Sequence, residues 1–375
     1  MTTFFFWASL YLYVPILSVY SQSIGASLSM IGAIVGAYAI PQLLFRIPIG
    51  IWFDTITRKK PLIALGILMT IVGALGLGLA PTPWFVFGAR MLTGVGAAAW
   101  VLFTVYFSAY FGAGTGIKRA ISIISFVQGS ALVAATYSGG VIAEVSGYSY
   151  TFFGAAILGA AGLVFLLLSR EPQIARGRQM SWAGFKSVIS HKPLIIVSLM
   201  GLLTQFVNYT GIFGFVPIYA ADIGASSVDL GIITTLCLAA SAVAALAVVP
   251  IAKRLGNSPA ILLSALILGG TIMIVPLIND VSLLKLDMLC HGLGRGFLTT
   301  IFLSLSIEGL PQQQRATAMG FYQATYALGM LTGPVISGFL ANSVGLASAF
   351  YLSTLCCLVT AGMAFLPWLK RSEAG

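Results

Sequence analysis

Three titratable side chains in one apolar segment have the spacing of a continuous stripe on a helix. Asp287, His291 and Arg295 follow one another at intervals of four residues, so a helix places them on one face. A carboxylate, an imidazole and a guanidinium in line can hold an anionic group and pass a proton, since imidazole titrates near neutral pH. The alternative is that Asp287 is a solvated residue at the outer mouth of the segment and that His291 only bonds a neighbour. Both interpretations stay open at this point.

Two further arginines, Arg46 and Arg90, also lie within long apolar segments. An arginine near the centre of a membrane-spanning helix costs about 2.5–3.5 kcal/mol on insertion scales. Three arginines in contact with lipid would consume a large part of the stability of the chain. We therefore expect Arg46, Arg90 and Arg295 to face the protein interior or a cavity. For Arg46 we favour a structural or gating role over contact with a substrate.

Aromatic and amide side chains supply the rest of a plausible cavity wall. Pockets for amphipathic ligands are mostly apolar and contain a few placed polar groups. The candidates are Tyr13 in the first apolar segment, Trp100 in the fourth, and Gln205 and Asn208 in the seventh. Most aromatic residues in such segments pack or anchor at the membrane interface, so we expect only some of these residues to touch a ligand.

The composition shows which elements must position these residues. Of the 375 residues, 59% are hydrophobic and only 7% are charged, whereas a soluble protein carries roughly 25% charged residues. The amino end lacks the basic region and cleavage site of a signal peptide and is interpreted as a first span; its abrupt start suggests that a short cytoplasmic lead is missing. Apolar segments long enough to cross ~30 Å of hydrocarbon as helices lie at residues 3–22, 29–53, 61–80, 83–110, 118–143, 150–169, 193–220, 228–252, 258–277, 282–308, 315–342 and 346–369.

The distribution of the cations explains the net charge of +10 and predicts the topology. If the amino end is cytoplasmic, nearly all Lys and Arg residues of the connections fall inside, and the outside loops hold Lys285 at most. The positive-inside rule then places both ends and the polar segment 170–192 in the cytoplasm. This segment is a predicted linker between an amino-terminal six-helix bundle, residues 1–169, and a carboxy-terminal one, residues 193–375.

The two predicted bundles repeat at a nearly constant offset. Tyr20 and the run Ile24–Ser27 recur 199 residues later as Tyr219 and Ile223–Ser226. At an offset of 198, Gly94, Gly96, Gly140 and Gly147 recur as Gly292, Gly294, Gly338 and Gly345. Because each half has an even number of spans, the repeats share one orientation and are related by an axis along the membrane normal.

The connection between the second and third predicted spans carries a family signature. Gly50, Asp54, Arg58 and Lys59 match the pattern G-x-x-x-D-x-x-G-R-K of the major facilitator superfamily, and Thr57 replaces the usual second glycine. The loop therefore resembles the one between the second and third helices of that superfamily. A plain basic anchor at a helix end is the alternative for this loop taken alone.

Helix motifs extend the resemblance over essentially the whole chain. Arg90 with Gly94 and Gly96 resembles the fourth-helix motif R-x-x-x-G-x-G, and the fifth-helix motif of the antiporter branches is half present, with Gly139–Gly140 but with Ala135 and Thr136 in the Gly-Pro positions. The helix-packing residues that resemble the eleventh helix are Gly333, Pro334 and Gly338.

The resemblance implies a twelve-helix secondary transporter whose two six-helix bundles are related by a pseudo-twofold axis. Substrate would bind between the bundles near the membrane midplane, and rocking would expose it to each side in turn. By resemblance, Asp54, with Arg58 and Lys59, forms a cytoplasmic latch that meets the amino-terminal end of the eleventh helix in the outward-facing state. Gly50 and Arg46 belong to the same gating region.

The predicted function is proton-driven efflux of a drug or metabolite across the cytoplasmic membrane by a monomer. An organic-anion importer or exchanger is the alternative, motivated by Arg90 and Arg295, and a non-transporting membrane sensor is a remote one. No zinc-protease, nucleophile-elbow or phosphate-loop motif occurs in the sequence. We therefore predict no enzyme activity, no metal or other cofactor and no nucleic-acid partner; the expected partners are the solute, protons and lipid.

Overall fold

The computed structural model describes residues 1–55, 58–111, 115–172, 186, 188 and 190–366. Within this part of the chain, all regular secondary structure is helical. Ten segments are long and apolar enough to cross a membrane, as judged by length and composition, and Ala347–Met363 is a shorter apolar helix. The first predicted span consists of two short helices, Thr2–Tyr11 and Leu17–Ser23. The predicted all-α fold with twelve spans is thereby confirmed.

The twelve spans are numbered in chain order and have the following helical bounds. Spans 1 to 6 are Thr2–Tyr11 with Leu17–Ser23, Leu28–Ala37 with Ala39–Thr55, Lys60–Gly78, Pro83–Ala98 with Trp100–Ser108, Thr115–Ser146, and Tyr148–Leu168. Spans 7 to 12 are Lys192–Thr210 with the π-helix Gly211–Phe215 and Val216–Asp222, then Ser227–Leu255, Asn257–Ile274 with the 3-10 turn Val275–Leu277, Val281–Leu305, Gln312–Val344, and Ala347–Met363.

Several cations that the sequence analysis assigned to loops lie in the terminal turns of helices instead. Lys253 and Arg254 belong to the last turn of the 29-residue helix Ser227–Leu255. Such a helix is about 43 Å long, longer than the ~30 Å of hydrocarbon, so its ends project into the polar zone. Lys60 and Lys192 are likewise the first residues of helices, and Lys118, Arg119 and Arg315 lie inside helices whose predicted spans already included them.

The described residues form two compact units that do not coincide with the two sequence halves. One unit contains the described residues of 1–26, 37–179 and 226–235, and the other contains those of 27–36, 180–225 and 236–375. In the second unit, Gly32 lies so close to span 11 that an added Cβ atom would be 2.1 Å from the Pro334 carbonyl oxygen. In the first unit, Gly231 lies against Gly140 in the same way. The division of the chain at residues 170–192 stays a prediction.

The predicted repeat is visible in hydrogen bonds and turns within each unit. The Tyr20 hydroxyl donates to the Leu77 carbonyl at 3.1 Å, and its counterpart Tyr219 donates to the Ile278 carbonyl at 2.9 Å. Gly25 and Gly224, 199 residues apart, have φ angles of 90° and 92°. An L side chain rarely adopts such a φ, so glycine is required at both turns. The two halves therefore repeat in conformation as well as in sequence.

Spans 1 and 7 depart from regular α-helix at equivalent places. Residues 12–16 of span 1 are a turn and residues 211–215 of span 7 are a π-helix, and these intervals are 199 residues apart. Pro15 and Pro217 lack the N–H that would bond the carbonyl four residues earlier, that of Tyr11 and of Phe213, so one regular helical bond is missing at each interval. These two five-residue intervals are called break 1 (12–16) and break 7 (211–215).

Candidate substrate and coupling site

The predicted stripe on span 10 is buried within the second unit. Asp287 is 7% exposed and His291 is fully buried. The His291 Nδ1 atom lies 3.0 Å from the Thr271 hydroxyl of span 9, so His291 does bond a neighbour. His291 Nε2 and Asp287 Oδ2 have no hydrogen-bond partner among the described residues. Unbonded buried polar atoms cost about 1–3 kcal/mol each, which favours a role for them in binding water, a proton or a ligand.

Asp287 is also the only acidic side chain that is buried in the described part of the chain. Its burial shows that it is not a solvated residue at the end of span 10. A carboxyl group in this position can exist without charge when protonated, whereas its ionised form lacks the water that would stabilise it. This is the property that a proton-binding group in a membrane requires.

Arg295, two turns farther along span 10, is held by spans 7 and 8. Its Nη1 donates to the Ser241 hydroxyl at 3.0 Å, and its guanidinium carbon lies 5.6 Å from the centre of the Phe213 ring. The Ser241 hydroxyl lies within hydrogen-bonding distance of the Cys237 and Gly292 carbonyls as well, at 2.7 and 2.9 Å. Arg295 is only partly buried and its Nε is unbonded among the described residues. It therefore keeps donor capacity for a ligand.

Two glycines of span 10 make this arrangement possible. A Cβ atom at Gly292 would lie 2.3 Å from the Cys237 carbonyl oxygen, and one at Gly296 would lie 2.2 Å from that of Ser241. Spans 8 and 10 thus meet backbone to backbone at the level of the arginine. This close approach brings the Ser241 hydroxyl to the Arg295 guanidinium.

Arg90 occupies an aromatic cage in the first unit. It is 5% exposed, and its guanidinium carbon lies 4.2 Å from the ring centre of Tyr38 and 5.6 Å from that of Tyr13. Its Nη1 donates to the Tyr13 hydroxyl at 3.1 Å and to the Thr93 hydroxyl at 3.4 Å. Neither Arg90 nor Arg295 has a carboxylate partner among the described residues. Both are cations without a counter-ion in that part of the chain.

Arg46 lies in a separate hydrogen-bond chain on span 2. Its Nη2 donates to the Gln42 side-chain oxygen at 2.8 Å, and the Gln42 amide donates to the Tyr38 carbonyl at 3.0 Å. Arg46 is 8% exposed. The hydrogen-bond chain ends at the same Tyr38 whose ring covers Arg90, so Arg46 and Arg90 are linked through one residue.

The remaining aromatic and amide candidates are divided between packing and polar contacts. Trp100 packs edge-on against Trp7, with ring centres 5.1 Å apart. Asn208 is fully buried and donates to the partly exposed Gln205 at 3.2 Å, and Asn208 Oδ1 has no partner among the described residues. Trp100 therefore has the contacts of a core residue, whereas the Gln205–Asn208 pair retains a free acceptor.

The helix-packing candidates all make close backbone approaches. A Cβ atom at Gly94 would lie 2.5 Å from the Tyr38 carbonyl oxygen, and one at Gly96 would lie 2.1 Å from the Thr70 hydroxyl. On span 11, a Cβ atom at Gly333 would lie 2.5 Å from the Phe206 carbonyl oxygen, and one at Gly338 would lie 2.6 Å from that of Leu28. Pro334 lies against Gly32 of span 2. A side chain larger than hydrogen at any of these glycines requires the helices to separate.

The signature loop is described only in part. The backbones of Gly50 and Asp54 belong to the helix Ala39–Thr55, so the loop begins later than predicted, and their side chains lie outside what the structure describes. Arg58 is exposed and Lys59 is buried. The predicted latch contact of Asp54 therefore stays untested.

Glu171 is a residue of this region that sequence reasoning missed. Its carboxylate accepts hydrogen bonds from the backbone N–H groups of Lys59 and Lys60, at the amino-terminal end of span 3. A negative charge at that end is favoured by the helix dipole. The available signal was that Glu171 is the only acidic residue of the basic segment 170–192. Ser241, Phe213 and Tyr38 were also missed, because no spacing rule links residues on different helices.

Comparison with known proteins agrees with this architecture. The family profile of the Major Facilitator Superfamily matches residues 1–226 and 200–375. The chain belongs to this superfamily. It is 25% identical to a protein of Lactococcus lactis named multi-drug resistance efflux pump PmrA homolog, over 98% of this chain and 93% of that protein.

Solved structures show the same fold at low identity. A bacterial homologue of the human lysosomal transporter Spinster superimposes with a TM-score of 0.84 at 15% identity, covering all of this chain and 96% of that one. The nucleoside transporter NupG superimposes with a TM-score of 0.79 at 16% identity, covering 97% and 96%. This superfamily member is thus a multi-pass membrane transporter of small molecules and not an enzyme.

Proposed function

We propose that this superfamily member exports a small organic solute, a drug or a metabolite, in exchange for protons. The observation that carries the proposal is the single buried carboxylate of the described residues, Asp287, on the same helical stripe as Arg295. The similarity to a relative named as a multidrug efflux pump over nearly the full chain supports the direction of transport. The exporter acts by alternating access as a monomer in the cytoplasmic membrane, with both ends in the cytoplasm.

Proton exchange at Asp287 gives the pump its driving force. A proton that binds from outside removes the charge of the carboxylate, and release of that proton to the cytoplasm restores the charge. The conformational change in one direction thereby becomes coupled to the pH gradient. His291 lies one turn away, between Asp287 and Arg295, and transmits the change in the charge of Asp287 to Arg295. Asp54, with Gly50, Arg46, Arg58 and Lys59, forms the cytoplasmic latch of the cycle.

Asp287→Asn is expected to uncouple transport from the pH gradient. Asparagine cannot exchange a proton, so gradient-driven accumulation of a lipophilic fluorescent dye in inside-out proteoliposomes should fall about 10-fold or more, while downhill exchange of the dye continues. Asp280→Asn is the matched control: Asp280 lies at the start of the same helix and only caps it, accepting from the Leu283 N–H at 2.8 Å. Gradient-driven accumulation at the wild-type rate in Asp287→Asn would disprove the proposed role.

A second candidate function is exchange or import of an organic anion. The specific observation that favours it is that Arg90 and Arg295 have no carboxylate partner among the described residues. A guanidinium without a counter-ion, buried at Arg90 and partly buried at Arg295, is suited to bind a carboxylate or phosphate group of a solute. The similarity to the nucleoside transporter NupG is a similarity of fold and does not decide between the two candidates.

Arg295→Ala separates the two candidates. If the solute is anionic, its affinity should fall about 10- to 100-fold, since hydrogen bonds to charged groups contribute about 1.5–3 kcal/mol. Uptake should be measured with a panel of anionic, neutral and cationic compounds, with Arg254→Ala as the control because Arg254 is exposed at a helix end. A selective loss of anions supports the exchanger; an equal loss for all compounds rejects it.

A further inference from the structure

Break 1 and break 7 are equivalent in position but differ in their hydrogen bonding. In break 1 the Val14 N–H donates to the Tyr11 carbonyl and the Ile16 N–H to that of Tyr13, both at 3.2 Å, so the backbone is wound more tightly than an α-helix. In break 7 the Val216 N–H donates to the Gly211 carbonyl five residues earlier, so the backbone is wound more loosely. Each break therefore replaces regular helical bonds by weaker ones.

The fifth span of each half abuts the break of that half. A Cβ atom at Gly139 in span 5 would lie 1.6 Å from the Leu12 carbonyl oxygen. The residue 198 positions after Gly139 is Ser337 in span 11, whose hydroxyl lies 3.2 Å from that of Thr210, the residue before break 7. Leu12 and Thr210 are also 198 positions apart. The same helix pairing thus occurs at both breaks, which supports their structural equivalence.

The fourth span of each half supplies an arginine to the break. Tyr13 of break 1 is fully buried, and its hydroxyl accepts from Arg90, whose guanidinium carbon lies 5.6 Å from the Tyr13 ring centre. Phe213 of break 7 lies 5.6 Å from the Arg295 guanidinium carbon. Arg90 and Arg295 do not correspond in the sequence repeat, since Arg90 plus 198 positions is Met288. The contact between an arginine and an aromatic ring of the break therefore occurs in both halves, although the residues that form it are not equivalent in the repeat.

We infer that Tyr13 and Phe213 are positioning residues, each of which couples an arginine of its own unit to a helix break. The attraction between a cation and an aromatic ring is worth about 0.5–2 kcal/mol. This energy is enough to determine whether a backbone segment that lacks regular helical bonds is ordered. When a solute binds the guanidinium of Arg90 or Arg295, the order of the backbone at the break in span 1 or span 7 changes accordingly. The inference rests on the second candidate function only in treating Arg90 and Arg295 as binding groups.

Hydrogen exchange measured by mass spectrometry on the full-length protein in nanodiscs tests the coupling without any solute. Arg90→Met should speed amide exchange in peptides covering 12–16 by about 10-fold and leave peptides covering 211–215 at the wild-type rate. Arg295→Met should do the reverse. The two variants are thus controls for each other, because general destabilisation would speed exchange at both breaks.

Two more conservative substitutions keep the test valid if an arginine variant fails to fold. Tyr13→Phe removes the hydroxyl that binds Arg90 and keeps the ring, so exchange at break 1 should rise less than in Arg90→Met. Tyr20→Phe removes a hydroxyl of the same span that binds the Leu77 carbonyl instead, and it should leave break 1 unchanged. Equal responses of both breaks to either arginine variant, or no response, would overturn the inference and leave the proposed function standing. If each arginine variant speeds exchange only at its own break but the protein transports none of the test compounds, the proposed function is overturned and the inference stands.

Discussion

Gly296→Ala is expected to destabilise the transporter strongly, although it adds only one methyl group. The added Cβ would lie 2.2 Å from the Ser241 carbonyl oxygen and 2.5 Å from its Cα. Backbone atoms of a packed helix cannot rotate away as a flexible side chain can, so spans 8 and 10 must separate. We expect a cost of about 3 kcal/mol or more and a thermal midpoint lower by about 5 °C or more. The measurement is thermal unfolding of the purified protein in detergent.

Gly270→Ala is the matched control for this prediction. Gly270 also lies within a span, but an added Cβ would meet no atom within 4 Å. Alanine is a better helix former than glycine by about 1 kcal/mol, so the midpoint should stay the same or rise slightly. Equal midpoints for the two variants would show that spans 8 and 10 do not meet backbone to backbone. We also expect Gly296→Ala to lose transport, because separation of spans 8 and 10 displaces Ser241, the partner of Arg295.

Arg90→Met is expected to abolish most transport while leaving the protein folded. Methionine fills much of the same volume without a charge. The lost hydrogen bonds and ring contacts are worth about 1–3 kcal/mol, and the removed burial cost of a cation is about 2.5–3.5 kcal/mol. Because these terms nearly cancel, the thermal midpoint should change by only a few degrees. Transport should fall about 10- to 100-fold, the value of a charge-assisted hydrogen bond to a solute.

Initial transport rates in proteoliposomes, normalised to the amount of inserted protein, check this expectation. Arg90→Lys serves as the comparison, because it keeps the charge but loses the planar group that stacks on Tyr38 and reaches Tyr13. We expect it to retain part of the activity. Wild-type rates in Arg90→Met would show that the cage is only a packing device, and loss of folded protein would show that the guanidinium holds the unit together.

The spans were far easier to predict from the sequence than the contacts between them. Apolar length alone located all twelve spans to within a few residues, except that the last helix ends at Met363 and that Lys253, Arg254 and other terminal cations are helical. Hydrocarbon thickness explains both the success and the errors: it sets a minimum length for a helix, and nothing in it stops a helix from continuing into the polar zone. The sequence repeat likewise paired Gly25 with Gly224, and the structure places both in turns with nearly equal φ angles.

The sequence by itself determined that this protein crosses the membrane twelve times, repeats internally, and contains arginines that must avoid lipid. These properties depend on local hydrophobicity and on spacing along one chain, both of which can be read without knowing any contact. Only the tertiary structure decided that Tyr38 covers Arg90, that Ser241 and Phe213 hold Arg295, and that Glu171 binds the start of span 3. Those partners lie on other helices, and their approach is fixed by where glycine lets two backbones meet, as at Gly296 and Gly94. Such meetings depend on the packing of whole helices, which no local pattern encodes.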